Sequence, residues 1–284
     1  MKSIKSQIIW FTIISLFITY SFGLVVWANG GLGSILGLLQ MYIPALVTIS
    51  IYIYLKKPIF KNGDLGLNFK GLKYWIIVPL FLTVLSLTTY GISYLFNPEM
   101  FETKLNIIEG LKSKGLYFGS ILGGIAILIL INGFIGSILN IPMFIGEELG
   151  WRGYLTPRLL KLFNAPKAFL LSAVVWALWH AVMIMQGLNY PSIHPVLGIL
   201  LMIVLCIPLG VINQYFYFKS RSIIVAALAH AALNKSVMTA SFLLKNESYD
   251  TVLYGPTGII GIVIFSIVAI ILYKRMDWKK NNTF

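Results

Sequence analysis

Charge is the scarcest property of this sequence. Only 11% of its 284 residues are charged, against about 25% in a soluble domain. That shortage excludes an ordinary water-soluble fold. Acidic residues are scarcer still: nine, against 22 Lys and Arg. The resulting net charge of +13 does not point to nucleic acid, because no compact basic stripe interleaved with aromatics is present. The single cysteine, Cys206, excludes an internal disulfide. It lies in an apolar run with no base near it in sequence, and reads as a small packed hydrophobe rather than a catalytic thiol. Neither an internal repeat nor a low-complexity tract is visible.

Hydrophobic length is what the chain has in excess, with 58% apolar residues and a mean hydropathy of +0.85. Eight runs are long enough to span a bilayer, at about 20 residues each. They fall near 7–28, 34–55, 73–96, 118–145, 168–187, 195–218, 222–244 and 256–274. The first exceeds the roughly 7–15 residues of a signal-peptide core, so it is expected to stay as a span. The expected fold class is an all-α polytopic membrane protein, with about eight transmembrane helices around a cytosol-facing polar cavity. One integral membrane domain is expected. Residues 1–117 would form scaffold spans and an outer loop, 118–244 a chemically equipped core, and 245–284 the last span and tail. The loop 97–117 reads as a short amphipathic helix at the interface.

The basic residues are unevenly divided. Seventeen fall in the termini and in the segments 56–73, 146–167 and 219–221, and four, Lys104, Lys112, Lys114 and Lys245, fall on the other side. Lys235 lies within the seventh run. The positive-inside rule then places both termini in the cytoplasm.

Against this background the string Glu147-Glu148-Leu149-Gly150-Trp151-Arg152 is conspicuous. A charge at membrane depth costs about 2.5–3.5 kcal/mol even on lenient insertion scales, and such residues are functional by default. Glu148 and Arg152 are spaced four apart with the acid first, which favours an ion pair on one helix face. Glu147 points elsewhere and is left free. His180 lies within the fifth span, in Trp176-Ala177-Leu178-Trp179-His180. His230 and Asn234 lie one turn apart within the seventh. These groups are expected to meet in the inner half of the bilayer, in a water-filled cavity open to the cytoplasm. There Glu147 with His180 would hold and deprotonate a water. His230 and Asn234 would supply donors to the oxyanion formed when that water attacks a carbonyl. Taken singly, each residue is more often a helix–helix hydrogen bond than a catalyst. Lys235 reads as snorkelling or paired, and His194, flanked by prolines, as a loop residue.

EELGWR resembles the EExxxR motif of the CPBP intramembrane proteases, the group containing the type II CAAX prenyl endopeptidases and the bacterial Abi proteins. Trp176 to His180 resembles the family's second motif, (F/W)xxxH, and His230 to Asn234 its third, HxxxN. Together they cover residues 147–234. The resemblance implies an eight-helix bundle with a conical cavity open to the cytosol. It implies that Glu147 and His180 activate water, that His230 and Asn234 form the oxyanion site, and that Glu148, Arg152 and Trp176 support them.

No HExxH pair is present. A metal-free glutamate mechanism is therefore favoured, with no cofactor. Zinc held by Glu147, His180 and His230 with an open position is the alternative. The expected partners are the lipid bilayer and a membrane-associated peptide or protein substrate. A Lys-, Asn- and Ile-rich chain points to a bacterial cell membrane, and to peptide-precursor processing, bacteriocin self-immunity or cleavage of a membrane regulator. A non-catalytic scaffold or immunity protein of the same fold is the second reading. A proton-coupled transporter is the third, and the lack of repeated broken helices weighs against it. Oligomeric state stays open, since Gly123, Gly124, Gly133 and Gly136 suit internal or external packing equally.

Overall fold

The computed structural model describes residues 3–59, 65–245, 249–278 and 280. Lys2, Lys61 and Lys279 of the basic tally lie outside the described residues. Among those described, the chain is helix and loop, apart from an isolated antiparallel bridge between Phe101 and Leu244. In lipid a backbone must satisfy its own hydrogen bonds, and a helix does so within one segment.

The helices follow the apolar runs closely. They are α1 (Ile4–Ala28), α2 (Ile35–Gln40), α3 (Ile43–Tyr54), α4 (Tyr74–Phe96), α5 (Lys104–Ser113), α6 (Ile121–Leu128), α7 (Ser137–Leu139), α8 (Ile141–Glu148), α9 (Thr156–Leu162), α10 (Ala165–Ile184), α11 (Pro195–Ser220), α12 (Ile223–Ala240) and α13 (Ile259–Lys274). Six stretches are long and apolar enough to cross a bilayer, and α12 and α13 are shorter apolar helices beside them. The loop 97–117 does contain a helix, α5, with Leu111 as its buried residue. Large apolar side chains such as Phe17, Leu80 and Ile267 remain more than half exposed, as lipid-facing positions should.

Two spans are interrupted. The second breaks at Met41–Tyr42 between α2 and α3. The fourth breaks at Asn140, where Pro142 occupies the first turn of α8. Stretches of π-helix, Ile129–Gly136 and Leu149–Leu155, flank α7 and α8. Such wide turns occur frequently at functional sites. Pro157 does not turn the chain, because it sits in the first turn of α9, where its missing N–H costs nothing. The turn comes at Phe163–Asn164, and the Asn164 side chain caps α10 by accepting from the Lys167 N–H at 3.1 Å.

The glutamate-bearing helix lies tight against the start of α3. A Cβ on Gly146 would stand 2.6 Å from the Met41 carbonyl oxygen, and one on Gly150 would stand 2.4 Å from the Pro44 Cβ. Small residues let backbones approach this closely in membranes. Gly150→Ala should therefore lower the thermal unfolding midpoint in detergent, by the about 1–3 kcal/mol typical of overpacking. Gly91→Ala is the control, since nothing lies within 4 Å of a Cβ there. Gly124 and Gly133 face Leu111 and Thr83, which gives these two an internal packing partner.

Both chain ends lie at one end of the bundle. Near the N-terminus the Gln7 carbonyl accepts from Tyr154 Oη and the Gln7 side-chain oxygen from Arg158 Nε. Near the C-terminus Trp278 packs on Phe169 and Phe218. The segments 29–34, 97–120, 185–194 and 249–258 lie at the opposite end. There the Gly255 N–H donates to Ser93 Oγ at 3.0 Å, and Tyr190 Oη donates to the Thr257 carbonyl at 2.8 Å. Arg152 leaves the loop tally. It is 2% exposed and sits in the core.

Candidate functional site

A cavity of about 380 Å³ runs between α8, α10, α11 and α12. Glu147, Trp176, His180, His230 and Asn234 all line it. The structure thus brings together the four residues expected to act, from three separate helices. Most of the remaining wall is apolar, with Met183, Met202, Leu205, Leu209, Leu233 and Phe265. Leu32, Leu38 and Met41 add a wall from the expected scaffold segment.

Glu147 is 3% exposed and fixed by two indoles. Trp176 Nε1 donates to Glu147 Oε2 at 3.0 Å, and Trp151 Nε1 donates to the same oxygen at 3.3 Å. Both donors act on Oε2, so Oε1 has no indole partner. Trp176 was expected to support the site. Trp151 was missed, although it lies four residues after Glu147, the spacing that pairs Glu148 with Arg152.

His180 is held by its own helix. Its Nδ1 lies 2.9 Å from the Trp176 carbonyl oxygen. A carbonyl only accepts, so Nδ1 carries the proton, and in the neutral ring Nε2 keeps its lone pair. No direct hydrogen bond joins Glu147 to His180. They share one cavity wall with space between them.

His230 takes a partner that the sequence does not announce. Its Nδ1 lies 2.9 Å from Glu148 Oε1. Glu148 is fully buried, and its other oxygen stands 3.2 Å from Arg152 Nε. That second contact is an ion pair off the line of a hydrogen bond, and neither Arg152 Nη has a hydrogen-bond partner among the described residues. The guanidinium instead stacks on the Trp176 ring, 4.0 Å from its centroid, a favourable cation–π geometry. Arg152, Glu148 and His230 therefore form one buried relay. Glu148 orients an imidazole whose other nitrogen is left for the cavity, as carboxylates orient histidines at many reactive sites. Phe144 and Trp176 pack against the His230 ring.

Asn234 is an exposed side chain on the cavity wall, one turn beyond His230. His194 lies apart from the site. It caps α11, its Nδ1 accepting from the Val196 N–H at 3.3 Å. Lys235 approaches the Met238 sulfur at 3.8 Å, beside Gly136. Cys206 is buried, as expected of a packed hydrophobe.

The zinc alternative finds no ligand set. Among the described residues no three His, Cys, Asp or Glu side chains converge to hold a metal ion. The Nδ1 atoms of His180 and His230 are already committed, to a carbonyl and to Glu148.

α10 begins at Ala165, so His180 lies about 22 Å along it and about 6 Å from its far end, at 1.5 Å per residue. α1 confirms the level, since Tyr20 Oη donates to the Leu178 carbonyl and Gly23 abuts Val182. Leu32, Asn189 and Thr257, from segments at the end opposite both termini, also line the cavity.

Comparison with known proteins agrees with the motifs. Residues 121–236 match the family model described as Type II CAAX prenyl endopeptidase Rce1-like. The CAAX prenyl protease 2 of Methanococcus maripaludis is 31% identical over 142 residues, which is 47% of this chain. The chain spans about half the length of that curated relative, 48% of it. The matched segment contains the Glu-Glu string, both cavity histidines and Asn234, set in an all-helical membrane fold, and over that segment the chain is similar to the CAAX prenyl endopeptidases.

Proposed function

We propose that the protein is an intramembrane endopeptidase that hydrolyses a peptide bond of a membrane-associated peptide or protein. The observation that carries this reading is the convergence of Glu147, His180, His230 and Asn234 on one cavity wall. Glu147 Oε1 and His180 Nε2 hold one water molecule between them. As its oxygen attacks the scissile carbonyl carbon, its proton passes to this pair. The carbonyl π electrons move to oxygen, and the Asn234 amide donates to that oxyanion together with His230 Nε2, a donation that requires the doubly protonated ring because Nδ1–H is held by Glu148. Collapse re-forms the carbonyl and breaks the C–N bond, and the held proton goes to the leaving amine. Atoms and charge balance with one water consumed. The mechanism is of the glutamate type and uses no cofactor.

Purified protein incubated with membrane-anchored peptides, with products read by mass spectrometry, tests the reading. Wild type should give defined products. Asn234→Ala should lower kcat by about 10²–10³-fold, the usual cost of one oxyanion donor, with little change in KM. Unchanged kcat would remove Asn234 from the mechanism. No product from well-folded wild type across a broad peptide set would sink the hydrolase reading. Peptide-precursor processing and bacteriocin self-immunity are the two cellular settings such a cut suits, and the identity of the cleaved peptide separates them.

A further inference from the structure

A second, smaller pocket of about 100 Å³ lies at the terminal end of the bundle, among α1, α3 and α9. Gln7, Tyr52, Lys57, Gly153, Arg158 and Lys161 line it, and no acidic side chain does. Arg158 is fixed in place. Its Nε donates to the Gln7 side-chain oxygen at 3.1 Å, Nη1 to the Tyr154 carbonyl at 3.0 Å and Nη2 to Tyr52 Oη at 3.2 Å. The guanidinium also stacks 3.6 Å from the centroid of the Tyr154 ring. A guanidinium has five N–H donors, so two are left over, and among the described residues no carboxylate pairs with Arg158. Lys57 is set by its backbone. Lys56 takes a left-handed φ of 53°. The Lys57 N–H donates to the Tyr52 carbonyl at 2.9 Å and the Lys56 N–H to the Ile53 carbonyl at 3.0 Å, the two-bond pattern that closes a helix. Three cations around one small pocket repel one another until an anion joins them.

The pocket stands where hydrophobic spans end, since α1 begins at Ile4 and α3 stops at Tyr54. That is the level of lipid headgroups. The same two helices form an apolar groove of about 290 Å³, whose lining includes Ile14, Ile18, Val47 and Tyr54. Ile14 is two turns beyond Gln7 on α1, and Tyr54 is three residues before Lys57. Leu46 and Tyr54 of the groove are 59% and 67% exposed, so it faces lipid. We propose that the pocket binds the phosphate of an anionic phospholipid headgroup, and that the groove between α1 and α3 takes an acyl chain of the same lipid. Arg158 offers its remaining donors from a fixed fork, the geometry that suits phosphate, and Lys57 and Lys161 add charge. A zwitterionic headgroup fits less well, because its ammonium would meet three cations. The bound lipid joins α1, α3 and α9. The last of these continues from the π-helix that follows Glu147 and Glu148, so the lipid steadies the glutamate-bearing segment from outside the cavity. The site does not depend on the endopeptidase reading.

Thermal unfolding in a neutral detergent tests the site without reference to activity. A ligand that binds only the folded protein raises the unfolding midpoint with its concentration, so a titration gives an apparent Kd. Dioleoyl phosphatidylglycerol mixed into the micelles should raise the wild-type midpoint saturably, and dioleoyl phosphatidylcholine should not. Lys57→Gln with Lys161→Gln removes two exposed cations and leaves Arg158 with its hydrogen bonds, so the fold is kept. A basic side chain near anionic lipid is worth about fivefold in affinity, so this pair of changes should weaken the phosphatidylglycerol titration about 30-fold by the same measure. Lys70→Gln with Lys219→Gln removes equal charge from exposed positions outside the pocket and should titrate as wild type does. Equal weakening in both pairs overturns the proposal, since overall charge alone would then govern binding. An equal response to phosphatidylcholine, or a response to neither lipid, overturns it too. Inorganic phosphate alone should shift the midpoint far less than the lipid. An equal shift would make the ligand a free anion and overturn the lipid assignment.

Discussion

Glu147→Gln should abolish peptide cleavage while leaving the protein folded. The amide is close in shape to the carboxylate, and its oxygen can still accept from Trp176 and Trp151, which stand 3.0 and 3.3 Å from Oε2. What the amide cannot do is take a proton from water. Removing a general base lowers the rate by about 10²–10⁴-fold, so the variant should lose at least that in kcat/KM. Its thermal unfolding midpoint in detergent should match wild type. Trp151→Phe keeps the ring and removes one N–H, and should give a smaller fall in kcat, because the carboxylate retains the Trp176 bond. His194→Ala should turn over as wild type does, since His194 lies at the α11 N-terminus away from the cavity. Full activity in Glu147→Gln would remove the proposed base and the mechanism with it. A parallel loss of activity and of folded protein would show that the carboxylate holds the helices rather than the water.

The spans were legible because lipid imposes length. A chain that cannot hydrogen-bond to its solvent must form helices about as long as the bilayer is thick, and runs such as 73–96 and 195–218 show this in composition alone. The break at Asn140 coincides with Pro142 in the first turn of α8. The break at Met41–Tyr42 carries no breaker residue. It follows from packing, because Gly146 and Gly150 press against the backbone there. Within the site, residues related by helical spacing were readable: Glu148 with Arg152, His230 with Asn234. The Glu147–Trp151 contact obeys the same rule and was overlooked. The His230–Glu148 bond links positions 82 apart, and no local pattern encodes it.

The largest effect on the fold should come from Glu148→Ala. Glu148 is fully buried, and one carboxylate serves both His230 at 2.9 Å and Arg152 at 3.2 Å. Truncating it leaves a guanidinium, itself 2% exposed, with no counter-ion in the core. Breaking one partner from a buried ion pair costs about 3–5 kcal/mol, against a total stability of about 5–15 kcal/mol for a folded protein. Glu148→Ala should therefore accumulate poorly in membranes and unfold well below wild type in detergent. Removing the stranded charge as well should reverse much of that loss. Glu148→Gln with Arg152→Met keeps an acceptor for the His230 Nδ1–H and fills the space over Trp176 with an apolar chain of similar length. The double variant should unfold closer to wild type than Glu148→Ala does. It should still be slow, because an uncharged amide at position 148 no longer presents a carboxylate to the His230 ring. Recovery of stability without recovery of rate would assign the relay both duties, holding the core and orienting His230. If the double variant regained both, the relay would be a packing device alone. If Glu148→Ala were as stable as wild type, the buried pair would not be the keystone that its burial and its two partners indicate.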